Sequence, residues 1–114
     1  MPTRTYQTGK HLEAFILLIV AREPLHGGAI ISRLQTILPS VWTIDDGHVY
    51  RVLRNLESTG ALSSDWVTES VGAPVRVYHI TPLGQERLVD WKEEITLRVQ
   101  SLQTFLDLWE QSFS

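Results

Sequence analysis

The chain has 114 residues, 43% of them hydrophobic and 20% charged, a balance that fits one globular domain and excludes disordered or fibrous classes. It contains no cysteine, which excludes disulfides and thiolate metal sites and points to a reducing, cytoplasmic setting. The net charge of −3 argues against a generally basic nucleic-acid binder. The whole deficit, however, falls after Pro82, where Arg87, Lys92 and Arg98 stand against six acidic residues, so the rest of the chain is free to present a basic face.

Residues 1 to 10 are polar, and Arg4 and Lys10 can act as an arm. A first helix is expected from about Lys10 to Arg22. Its centre, Ala14 to Ala21, is too short for a membrane span of roughly 20 residues. No small-residue cleavage site follows it, so it is not a signal peptide. A helix apolar on every side must be covered on every side. A second subunit is therefore expected over Leu12, Phe15 and Ile19. Glu23 to Gly28 reads as a turn, with Pro24 ending the first helix. A second helix, about Gly28 to Leu38, carries Ile30, Ile31, Leu34, Ile37 and Leu38 on one face.

Asp45 to Leu62 reads as a third helix with both ends marked. Asp45 and Asp46 suit its N-cap, and Gly60 suits a left-handed C-terminal stop. Val49, Leu53 and Leu56 share an inner face, which leaves His48, Arg51, Arg54, Asn55 and Ser58 outside and Tyr50 at the boundary. Two strand-like runs follow, Leu62 to Thr68 and Val75 to Ile80, joined by a loop with Gly72 and Pro74. Trp66 is expected to pack on the third or the last helix.

Thr81 as N-cap and Pro82 in the first turn open a last helix reaching about Ser112. Leu88, Trp91, Ile95, Leu102, Phe105 and Trp109 recur at spacings of three and four, interrupted by Arg98, with Val99, Leu106 and Phe113 alongside. About 30 helical residues span on the order of 45 Å, so this helix projects. Its stripe is expected to pair with the same helix of a second copy. The four histidines form no i, i+4 pair, and no nucleophile motif or phosphate loop is present. No metal, cofactor or catalysis is expected.

Three helices, a two-stranded wing and a long helix make a mainly α winged helix-turn-helix, with residues 1–82 as the DNA-binding part and 83–114 as the dimerisation helix. In detail the chain resembles the PadR-like transcriptional regulators. Leu25-His26-Gly27 resembles the LHGY turn of that family, with Gly28 in place of its aromatic. Trp42 to Tyr50 resembles W-x-P-S-x-G-T-I-Y, and Leu53 to Leu62 resembles LxRLExxGL. Arg76 to Gly84 resembles R-x-Y-x-L-T-x-x-G. The sequence departs from the pattern at Ile44 for proline, Asp45 for serine and His48 for threonine, and Asp46 adds a negative charge where phosphates approach.

The resemblance implies a homodimeric regulator of double-stranded DNA, acting as a repressor on a pseudo-palindromic site. In this architecture the third helix enters the major groove and the wing reaches the adjoining backbone. Tyr50 and Arg54 are expected on phosphates, and His48, Arg51 and Asn55 nearest the bases, where Arg and Asn suit guanine and adenine edges. Arg76 and the loop around Gly72 form the wing contact. Trp91 and Trp109 have two readings, filling a dimer seam or lining a cavity for a small planar aromatic effector, with Ile95 and Phe15 beside Trp91. The rival function is a winged-helix protein-interaction module without functional DNA binding, which Asp46 and the negative charge favour.

Overall fold

The computed structural model describes residues 6–7, 11–39, 42–68 and 72–113, with the backbone alone for 6, 7 and 42. The expected arm residues Arg4 and Lys10, and the wing loop 69–71, lie outside the described residues. In order the chain forms β1 (Tyr6–Gln7), α1 (Leu12–Arg22), β2 (Leu25–His26), α2 (Gly27–Ile37), β3 (Trp42–Thr43), α3 (Asp46–Ser58), β4 (Leu62–Val67), β5 (Val75–Ile80) and α4 (Pro82–Phe113). The mainly helical winged architecture expected from the sequence is present. The wing differs in having three strands, ordered β2-β5-β4 and antiparallel throughout. The segment read as a turn contributes β2, where Leu25 faces Tyr78 and His26 faces Val77. Two residues are too few to show an alternating pattern, so only the tertiary partner reveals this strand. A short parallel pair, β1 with β3, lies apart from that sheet.

The core is built around α1. Ile16 and Leu17 are fully buried, and Ile30 and Leu34 of α2 and Val49, Leu53 and Leu56 of α3 meet them at 0% exposure. Each such side chain contributes about 2 kcal/mol by leaving water. The apolar girdle of α1 thus has a cause within one chain, since α2, α3, α4 and β5 all pack on it. Leu12 and Ile19, expected at a partner subunit, are 2% and 6% exposed in this core. They have no surface left to offer, and the large apolar residue that α1 does expose is Leu18, at 48%.

α3 ends as the sequence predicts. Gly60 adopts φ +86°, the Ala61 N–H donates to the Leu56 carbonyl, and the Gly60 N–H donates to that of Glu57. This double closure satisfies carbonyls that a helix end leaves orphaned. The start of α4 is fastened to the same loop. The Thr81 hydroxyl lies 2.6 Å from the Gly60 carbonyl oxygen and 3.0 Å from that of Ala61. It also accepts the Gly84 N–H at 3.0 Å as the N-cap of α4, while the Thr81 N–H donates to the Ala61 carbonyl.

Beyond this anchor α4 leaves the body. It has 32 residues, about 48 Å at 1.5 Å per residue, in a molecule 61 Å in its longest dimension. Its one buried residue is Gly84. A Cβ there would stand 2.1 Å from the Ala61 carbonyl oxygen, which is backbone and has nowhere to go. Gly84→Ala is therefore expected to destabilise the fold by about 3 kcal/mol, read as a lower urea midpoint. A midpoint equal to wild type would show that α4 does not rest on the α3–β4 loop.

Candidate nucleic-acid interface

α3 divides its residues as an outward-reading helix requires. Asp45 caps it, accepting the Gly47 N–H at 3.1 Å, with Asp46 exposed in the first turn. Val49, Leu53 and Leu56 anchor the inner face. Arg51, Arg54 and Asn55 are exposed and His48 is half-buried. Among the described residues neither arginine has a carboxylate partner. Two unpaired guanidinium groups one helical turn apart leave ten N–H donors' worth of geometry facing solvent, since each carries five. The Arg51 side chain reaches back along the helix, its guanidinium 3.7 Å from where a Cβ of Gly47 would stand.

Tyr50 bridges two elements. Its ring covers the start of α2, so that a Cβ on Gly27 would come within 2.5 Å of it, yet the residue stays 41% exposed. His26 precedes that glycine and caps α2, its Nδ1 accepting the Ala29 N–H at 3.3 Å. The Leu25-His26-Gly27 turn therefore serves as strand, cap and seat for Tyr50 in successive residues.

On the wing, Arg76 is engaged within the chain. Its guanidinium lies 3.9 Å from the Glu57 carboxylate of α3 and stacks over Trp66 at 5.2 Å from the ring centroid. Ser64 donates to the same Glu57, so one α3 carboxylate holds both wing strands. Beside them Tyr78 is buried, and that desolvation raises its phenol above the usual 10, with Arg76 opposing the shift. Gly72, at the loop, has φ +111° and open space around it. Trp66 does not pack on a helix as expected; it is 66% exposed, with the Arg76 guanidinium over its ring.

The expected dimer residues separate into two groups. Leu88, Trp91 and Phe15 are half-buried against the core of their own chain. Leu102, Phe105 and Trp109 are 53–65% exposed on the projecting part of α4, with Trp109 stacked on Phe113 at 4.4 Å. Phe15, Trp91 and Ile95 do come together, along a groove of about 650 Å³ between α1 and α4. Trp109 lies outside it.

An ion pair that sequence reading missed fixes this groove. Arg87 donates to both carboxylate oxygens of Glu13 at 2.8 Å, and the Trp91 indole N–H donates to Glu13 at 2.6 Å. Bidentate geometry of this kind combines charge with orientation. The signal is present in the sequence, since Glu13 is the charge directly before an otherwise apolar run, with Arg22 after it. Among the described residues no group of three or more histidine, aspartate or glutamate side chains could hold a metal, and no helix is long and apolar enough to cross a membrane.

A capped helix with unpaired arginines, flanked by a wing and backed by a second helix, defines a winged helix-turn-helix DNA-binding module. Residues 16–90 match the model of the transcriptional regulator PadR-like family, and the chain belongs to that family: it is a DNA-binding transcriptional regulator and not an enzyme. It is 33% identical to a conserved protein described as a potential transcriptional factor, over 90% of this chain and 93% of that one, with a TM-score of 0.70. The fold is also that of a PadR family transcription regulator from Clostridium difficile (TM-score 0.75, 21% identity, 84% of this chain and 98% of that one). A PadR-like regulator from Bacillus cereus is similar to it as well (TM-score 0.74, 23% identity, 84% and 91%). No curated protein matches the chain.

Replacing Glu13 by Gln removes the charge that orders Arg87 and Trp91. Because Arg87 is partly exposed and can rehydrate, the expected loss is about 1–2 kcal/mol, with altered Trp91 emission. Unchanged stability and spectrum in Glu13→Gln would mean that the groove is held by apolar packing alone.

Proposed function

We propose that the protein acts as a homodimeric repressor that places α3 in the major groove of a pseudo-palindromic operator. The observation carrying this reading is the face of α3, where Arg51 and Arg54 stand exposed and, among the described residues, without a carboxylate partner, while Val49, Leu53 and Leu56 on the opposite side are fully buried. Arg51, Asn55 and His48 read base edges, and Tyr50 and Arg54 hold phosphates, with the Gly72 loop of the wing on the neighbouring backbone.

Dimerisation is supported by the stripe on α4. Leu102, Phe105, Leu106, Trp109 and Phe113 are 53–71% exposed, a contiguous apolar surface of the kind that marks an interface. Pairing with the same stripe of a second copy covers it and sets two α3 helices apart by a fixed distance. The groove lined by Phe15, Trp91 and Ile95 adjoins this surface, and an aromatic effector there would shift the packing of α1 against α4. The Glu13 hold on the Trp91 indole favours a structural role for that ring. Asp46, exposed at the start of α3, favours instead a module that binds protein without DNA.

Salt separates the two. Neutralised phosphates release counterions, so DNA affinity must fall steeply as salt rises. In a mobility-shift titration Arg51→Ala and Arg54→Ala are each expected to weaken binding about tenfold and to lower the salt slope by about one unit. Wild-type affinity and slope in both variants would remove α3 from the interface, and salt-insensitive capture of a protein would support the rival.

A further inference from the structure

One exposed side chain of the wing has no part in the contacts assigned above. The register pairs Leu62 with Ile80, Ser64 with Tyr78 and Trp66 with Arg76, so these six residues share one face of the hairpin. At the base that face is core, with Leu62 and Tyr78 at 2% and 4% exposure. In the middle Ser64 is tied to Glu57 of α3. Trp66 and Arg76 continue the same face toward the hairpin tip, where the indole is 66% exposed and the guanidinium lies over it. A large apolar ring in water, on the side of the hairpin that α3 occupies, is a contact surface without its partner.

We propose that Trp66 is a DNA-contacting residue of the wing. This inference rests on the regulator reading. Its ring packs on the apolar deoxyribose face of the duplex backbone while Arg76, aligned by the stack, meets the adjacent phosphate. The Glu57 carboxylate, shared between Ser64 and Arg76, makes the pair move with α3, so groove and backbone contacts form in one register. The chemistry is that of an aromatic next to a cation, which suits sugar–phosphate because the first supplies apolar contact and the second charge.

The test is an anisotropy titration of the full chain with a duplex that the wild-type protein selects from a random pool, repeated at several salt concentrations. Trp66→Ala is expected to bind about tenfold more weakly with the wild-type salt slope, because an indole carries no charge. Trp66→Phe should recover most of the loss and keeps the test readable if the alanine variant is less stable. Arg76→Ala should instead lower the slope by about one unit. The proposal is overturned if Trp66→Ala binds within about twofold of wild type, or if its loss comes wholly as the slope change seen for Arg76→Ala. A wild-type protein that selects no duplex overturns the regulator reading too, whereas a Trp66→Ala variant that binds normally overturns this contact alone.

Discussion

The structure depends on one joint, the meeting of the α3–β4 loop with the first turn of α4. Thr81 caps α4 with the same hydroxyl that binds the carbonyls of Gly60 and Ala61, and Gly84 rests on the Ala61 carbonyl with no room for a side chain. Each helix end is closed by its own residues, α3 by the Gly60 and Ala61 N–H groups and α4 by the Thr81 hydroxyl, and Thr81 then ties the second closure to the first. The result is that the start of α4 is fastened to the loop that follows α3 by hydrogen bonds and by close backbone packing.

Around that joint the chain is held from two further sides. Glu13 clamps α1 to α4 through Arg87 and Trp91, and Glu57 clamps α3 to the wing through Ser64 and Arg76. Both carboxylates sit at the margin of the core rather than inside it, where an ion pair costs less desolvation than a fully buried one. Tyr50, seated on the side-chain-free Gly27, adds the link from α3 to α2. Arg51 and Arg54 on the outer face of α3 stay exposed, while Glu57 on the same helix is engaged with the wing.

Much of this was legible in the residues. Period and punctuation located the four helices, and the Gly60 and Thr81 signals specified how α3 stops and α4 starts. These are local chemistry, a left-handed glycine and a hydroxyl cap. What stayed hidden was tertiary. β2 is two residues long and exists through its pairing with β5. The all-apolar α1 was read as half-covered by a second subunit, yet α2, α3, α4 and β5 enclose Leu12 and Ile19, because composition shows that a helix is buried and not by what. Trp66 is the opposite case: a tryptophan on a strand suggests packing on a helix, but its ring is covered here by the Arg76 guanidinium and stays 66% exposed.

On the proposed function, the joint at Thr81 and a paired α4 together present two copies of α3 to DNA one helical turn apart. Selection of bound duplexes from a random pool by the purified protein tests this directly. Enrichment of two inverted half-sites with centres about 34–36 Å apart, 10–10.5 base pairs, is the predicted result. Enrichment of single half-sites, or of pairs with no fixed spacing, would contradict it.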